Sequence, residues 1–324
     1  MKSLKTAFFA FGLIMSAPVI AQPAPVAAPA APVTTAAPTP AAPAPAVAAP
    51  EMTAPTPGIG MPVPHGIGIQ EQVTPIGREA VAMHDGLLMY TITAISIFVL
   101  GLLFYASFRF RRKANPVPST TAHHTMLEVA WTLIPVLILA FISVYSISLL
   151  AHQYKPPGKN AITIKAIGNQ WYWSYEYMDN GGFEVTANML KDADAKARGE
   201  PRLLATDNRL VVPVGVPIHL LTTSNDVIHA WSVPAFWTQM DAVPGRVNST
   251  TFTVEKPGVY YGQCYQICGA RHGFMPIAVE AVTPDKYAAW VASKGGVDKG
   301  AKPAPTAAAA ATPVSPAPVA ATKS

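Results

Sequence analysis

The chain has 324 residues, more than one average domain needs, but 33 are proline, and most of those lie towards the two ends, where no packed core can form. The formal net charge is +5, yet between Lys155 and Lys294 there are 13 Lys and Arg against 12 Asp and Glu. The basic excess sits in the leader, one short loop and the tail, so nothing supports nucleic-acid binding.

Lys2 and Lys5 precede an apolar run from Ala7 to Met15, and Val19-Ile-Ala21 supplies small residues before Gln22. This predicts a secretory signal peptide over residues 1–21, too short in its apolar part to anchor the chain in a bilayer. Residues 22–58 are almost entirely Ala, Pro, Thr and Val, and residues 299–324 have the same character. Proline at that density removes donors and blocks helix and sheet alike, so both ends are expected to be disordered, extended spacers.

Residues 59–153 should hold an N-terminal segment and a membrane hairpin. A stretch without charge from about 86 to 108 and a second apolar run from about 126 to 150, charged only at Glu128, are each long enough to cross a bilayer. The cluster Arg109-Phe-Arg-Arg-Lys113 lies between them, which predicts a cytoplasmic loop and places the rest of the chain on the outer face. Pro135 is tolerable in a membrane helix where neighbours satisfy the freed carbonyl. Glu128 has two readings. Thr125-Met-Leu-Glu128 fits a capping box, in which the carboxylate serves the helix start. An ionisable group at the inner membrane edge can also open a proton path.

From Asn160 the pattern turns to short strands separated by Gly, Pro and Asn: 161–167, 170–177, 209–213, 218–223, 249–254, 259–264 and 277–282. Seven such runs argue a β-sandwich over residues 154–298, closed by a short helix from Thr283 to Ser293 with Pro at its first turn. Trp171, Tyr172 and Trp173 fall in one predicted strand, with Trp173 expected in the core.

The chemistry concentrates in Gly262-Gln-Cys-Tyr-Gln-Ile-Cys-Gly-Ala-Arg-His-Gly-Phe-Met275, which holds both cysteines of the chain. Two thiols, His272, Met275 and, upstream, His229 are the soft and borderline ligands that favour copper over magnesium or calcium. Cys268, His272, Met275 and His229 make the ligand set of a one-copper electron-transfer site, and Cys264 adds a second sulfur that could bridge two ions. Two cysteines in an exported chain can equally form a disulfide, and two Cys with two His can hold zinc. Neither needs the thioether of Met275.

This stretch resembles the copper motif G-Q-C-S-E-L-C-G-x-x-H-x-x-M-P of subunit II of the haem-copper cytochrome c oxidases, the subunit that carries the binuclear CuA centre. The likeness extends to Gly168-Asn-Gln-Trp-Tyr-Trp-Ser-Tyr-Glu-Tyr177, Trp231-Ser-Val-Pro-Ala-Phe236 and Asp241-Ala-Val-Pro-Gly-Arg246, and covers roughly residues 60 to 295. It implies a two-helix transmembrane hairpin followed by an all-β, cupredoxin-like Greek-key sandwich on the periplasmic side of a bacterial inner membrane. It further implies that electrons pass from cytochrome c through two copper ions to haem in the catalytic subunit I, with subunit III as a further partner. The implied ligands are His229, Cys264, the backbone carbonyl of Gln266, Cys268, His272 and Met275. Trp171 resembles the exposed tryptophan that accepts electrons, and Glu176, Asp179 and Asp226 match or neighbour acidic docking positions. Glu128 matches the family's proton-uptake glutamate. Gln266 departs from the pattern: the family usually has Glu there, helping to hold magnesium against subunit I, and a neutral amide is a weaker ligand for that ion.

Overall fold

The computed structural model describes residues 50–298, so the signal peptide, most of the linker and the tail fall outside the described residues. Thr74 begins the first helix: its backbone is extended, its hydroxyl accepts a hydrogen bond from the Gly77 amide, and Pro75 takes the first helical position, where an N–H is not needed. Helix α1 (Pro75–Ala82) continues through a π-helical stretch, Met83–Leu88, into α2 (Met89–Arg109). The whole run Pro75–Arg109 and helix α3 (Thr125–Gln153) are each long and apolar enough to cross a membrane. Neither α2 nor α3 buries a residue within the chain, so their apolar surfaces need lipid or protein neighbours.

The first helix starts at Pro75, upstream of the charge-free stretch, because its first turns carry polar groups that serve other contacts. Arg78 pairs with Glu255 in the β domain, and Glu79 meets His152 at 2.9 Å near the end of α3. At the start of α3 the cap is His124 rather than Thr125. The His124 ring accepts from the Leu127 amide at 3.3 Å, and the Glu128 carboxylate accepts from the His124 amide at 3.0 Å. Glu128 does serve the helix start, one residue earlier than the Ser/Thr pattern suggests.

The β domain is a sandwich of two five-stranded sheets. The first contains β1 (Ile162–Asn169), β2 (Tyr172–Tyr177), β3 (Phe183–Ala187), β5 (Pro217–Ser224) and β8 (Asn248–Thr253), in the order β3-β2-β1-β5-β8. The second contains β4 (Leu210–Pro213), β6 (His229–Val233), β7 (Thr238–Ala242), β9 (Gly258–Cys264) and β10 (Pro276–Val282), in the order β4-β10-β9-β6-β7. Most neighbours run antiparallel, but β1 pairs with β5, and β4 with β10, in parallel. A short helix, α4 (Asp192–Ala197), lies between β3 and β4, and α5 (Pro284–Ser293) follows β10.

β1 and β5 alternate between buried and partly exposed residues, as strands with one covered face do. β10, flanked by β4 and β9, is buried along its whole length. The core between the sheets centres on Trp173, Tyr175, Tyr177, Trp231, Phe236 and Tyr260, all fully buried. Trp231 and Phe236 both stack on Phe252, with ring centroids 5.7 and 5.1 Å apart. Burying side chains of this size contributes about 2–3 kcal/mol each from apolar area alone.

One charged cluster is buried at the β4/β10 side. Arg209 donates to Glu280 at 3.0 Å, to Glu200 at 2.9 Å and to the Thr53 carbonyl at 2.7 Å. The Thr53 amide returns a bond to Glu280 at 2.7 Å, so residue 53 is strapped to the sandwich through both its backbone groups. With the charges paired and hydrogen-bonded, burial becomes tolerable.

Candidate metal centre

The ligand loop is set by a close strand crossing. Where β9 passes β6, a β-carbon at Gly262 would lie 1.9 Å from the Ser232 carbonyl oxygen, so only glycine fits. That approach registers Cys264 opposite Trp231, two residues beyond His229 on β6. The Cys264 amide donates to the Met275 carbonyl at 3.2 Å, which closes the loop from 264 to 275 on itself. Within the loop, Gly269 has φ +118°, and a short 3-10 turn, His272–Phe274, returns the chain to β10.

These constraints bring the expected side chains together. The two cysteine sulfurs are 3.9 Å apart and unbonded. His229 Nδ1 lies 3.8 Å from Cys264 Sγ, and His272 Nδ1 lies 3.6 Å from Cys268 Sγ, so each sulfur has its own imidazole. Met275 Sδ stands 4.0 Å from Cys268 Sγ, and the Gln266 carbonyl is 3.3 Å from Cys264 Sγ. His229, Cys264, Cys268 and Met275 are buried and His272 is half-buried. The domain's other histidine, His219, sits on β5 opposite Thr251, outside this group. A largely buried group of two thiols, two imidazole nitrogens and a thioether fits copper by donor chemistry.

The electrostatics of the metal-free site point the same way. Burial alone would raise the Cys264 thiol, but contact with His229, ahead of the backbone groups of Ala230 and Gln266, outweighs it and holds the thiol below its ordinary range. Cys268 is pushed up to about 12 by burial first and then by the neighbouring Cys264 charge. Burial would lower His229, yet Cys264 and Asp226 together raise it. A cation held by these residues would supply what Cys268 lacks, a positive charge that favours its thiolate.

Other expected residues lie around this group. Trp171 is in the turn between β1 and β2, not in the strand the sequence predicts, because the hairpin closes at Asn169↔Tyr172. Its indole Nε1 donates to the Cys268 carbonyl at 3.2 Å, and Trp173, two residues on, is fully buried. Asp226 faces inward as well as outward: its Oδ1 lies 2.8 Å from His229 Nε2. Glu176 meets Lys165 at 3.3 Å, and Asp179 accepts from the Thr163 amide at 2.7 Å. Gln266 is exposed. Glu128 is at the other end of α3, remote in sequence and fold from the cysteines. Gly168 packs directly against the His229 ring, a long-range contact that no local pattern announces.

Residues 62–149 match the family described as the cytochrome c oxidase subunit II transmembrane domain, and residues 162–282 match its periplasmic domain. The chain belongs to the cytochrome c oxidase subunit II family. The probable cytochrome c oxidase subunit 2 of Rickettsia bellii is 44% identical over 236 residues, spanning 73% of this chain and 87% of the relative. Cytochrome c oxidase subunit 2 of Zea mays is 43% identical over 236 residues, spanning 71% of this chain and 90% of the relative. Among solved structures, the periplasmic domain of subunit II of the cytochrome oxidase of Bradyrhizobium japonicum is 47% identical, covering 43% of this chain and 97% of that one, with a TM-score of 0.40. This subunit II is therefore a membrane protein with two transmembrane helices and a periplasmic two-sheet domain, and its buried His229, Cys264, Cys268 and Met275 form a site suited to copper.

Proposed function

We propose that this subunit II holds a two-copper CuA centre, accepts electrons there from a cytochrome c on the periplasmic face of a bacterial inner membrane, and passes them to haem in subunit I. The observation that carries the reading is the pairing of donors: two free sulfurs 3.9 Å apart, each with a different histidine Nδ1 within 4 Å. A two-Cys, two-His zinc site would use the same four donors but not the thioether of Met275, 4.0 Å from Cys268 Sγ. When bound, a copper pair bridged by sulfur shares one electron between two ions, with little change of geometry on reduction.

The chain's own residues do the rest. Cys264, Cys268, His229, His272, Met275 and the Gln266 carbonyl would hold the copper ions. Burial keeps water from the sulfurs. Trp171, partly exposed and hydrogen-bonded to the Cys268 carbonyl, offers a bonded aromatic route from the surface to a ligand. Glu176, Asp179 and Asp226 would contribute to donor docking, though each already engages a group of this chain, which weakens the acidic rim. Glu128 would serve proton uptake at the inner membrane edge, with helices α2 and α3 against subunits I and III and lipid. The magnesium site at the subunit I contact would be weak, because position 266 supplies an amide.

The test is copper titration of the full chain in detergent, followed by electron paramagnetic resonance. Two coppers per chain, with the unpaired electron coupled equally to both nuclei, is the expected result. One copper with a mononuclear spectrum, or no uptake by the reduced protein, would sink the reading.

A further inference from the structure

The β1–β2 turn reaches the metal centre from a side that supplies no ligand. Gln170, in that turn, bonds to both ligand segments at once. Its backbone N–H donates to Asp226 Oδ2 at 2.7 Å, while Asp226 Oδ1 holds His229 Nε2 at 2.8 Å. Its side-chain Nε2 donates to the Cys268 carbonyl at 2.9 Å.

We propose that Gln170 is a positioning residue that clasps the His229 strand and the cysteine loop together and so fixes how the two halves of the copper ligand set face each other. The proposal rests on the copper reading above.

Each arm of the clasp is over-determined. Asp226 Oδ1 also accepts from the Val227 amide at 2.6 Å and the Ser224 hydroxyl at 3.3 Å, so the carboxylate cannot rotate once Gln170 occupies Oδ2. A fixed carboxylate leaves the His229 ring one orientation, with Nδ1 towards Cys264. On the other arm, the Cys268 carbonyl accepts from Gln170 and from Trp171 Nε1 at 3.2 Å, which fills both its lone pairs and fixes that peptide plane. A β-carbon at Gly269 would sit 3.2 Å from both Gln170 Nε2 and Trp171 Cζ2, so glycine there lets the turn press onto the loop. Gln170 is exposed, and its worth must come from these bonds rather than from packing.

The amide is needed as a donor with a definite reach. Met at 170 keeps the backbone bond and the length but not the donor. Glu presents an acceptor to a carbonyl, beside the Asp226 charge. Asn keeps the amide but is one methylene short.

The full chain in detergent, wild type and with Gln170→Met, Gln170→Glu or Gln170→Asn, would be loaded with copper and challenged with a chelator. All three variants are expected to lose copper about 10- to 100-fold more readily, as removal of outer-sphere partners does elsewhere. Their paramagnetic spectra should show unequal coupling to the two coppers, and their reduction potentials should move, while the metal-free Gln170→Met chain melts with wild type. Trp171→Phe, which removes the second donor to the same carbonyl, should shift the spectrum less and in the same direction. Wild-type spectra and copper retention in Gln170→Met, or in Gln170→Asn, would overturn the proposal. A wild-type chain that takes up no copper pair would instead overturn the copper reading, and this proposal with it.

Discussion

Gly168 faces the His229 ring so closely that a β-carbon at position 168 would stand 2.7 Å from His229 Cδ2 and 2.9 Å from Cγ. The ring has no room to retreat: it is fully buried, and Trp173 lies edge-on to it at 5.9 Å between centroids. Gly168→Ala should therefore cost about 1–3 kcal/mol, as overpacking does, and displace the imidazole from Cys264. Thermal unfolding of the metal-free chain reads the first effect and copper stoichiometry the second. An unchanged melting temperature would show that the strand can shift to make room.

Asp226→Asn keeps the size of the side chain and removes the charge that orients His229. Copper affinity is expected to fall about 10- to 100-fold, with the ligands themselves intact. Competition against a chelator checks this. If Asp226 acted only in docking, copper affinity would stay and only the rate of reduction by cytochrome c would drop.

Arg209→Met would leave Glu280 buried without its cation, leave Glu200 with only Arg198 at 4.0 Å, and release the bond to the Thr53 carbonyl. The expected loss is about 3–5 kcal/mol, the range for breaking one partner out of a buried pair. Denaturant unfolding of the full chain in detergent measures it. Replacing all three residues with apolar ones should recover much of the loss, since the uncompensated charges cause it.

Glu128→Gln separates the two roles of that residue. The amide oxygen can still accept from the His124 amide, so α3 and assembly of the oxidase should be unaffected. If the carboxylate also takes up protons, turnover of the assembled enzyme should fall severalfold. Unchanged turnover would leave Glu128 as a helix cap alone.

The ligands were legible in the sequence because four of the five side-chain donors lie within one loop, where spacing is nearly geometry. Their supports were not. Gln170 and Gly168 meet Cys268 and His229 only after two sheets close, and no local pattern announces that; Asp226 lies three residues before His229, but nothing in that spacing alone tells an imidazole partner from an exposed acid. The same division holds for the fold. β1, β5 and β10 show themselves as apolar or alternating runs, whereas β6 is a short, wholly buried strand with two polar residues, His229 and Ser232, and has no alternation to read. β3 and β7 are sheet-edge strands of five residues each: Phe-Glu-Val-Thr-Ala alternates, but over too short a run to stand out, and Thr-Gln-Met-Asp-Ala is polar at three of its five positions. Trp171 was misplaced into a strand because an aromatic run conceals a turn that contains no proline or glycine of its own.

The order of the donors along the chain sets an order of events in biogenesis. His229 comes first, and Cys264, Cys268, His272 and Met275 follow only just before the final strand, Pro276–Val282. A chain delivered N-terminus first has its membrane hairpin and eight of its ten strands complete before the loop with the last donors arrives, but β10, an interior strand, follows Met275, so the ligand set is complete only when the sandwich itself can close. Until a metal binds, two reduced sulfurs lie 3.9 Å apart in a compartment that favours disulfides. A metal that reaches this pair of atoms first would protect it, and an oxidant that reaches it first would remove two of the five side-chain donors.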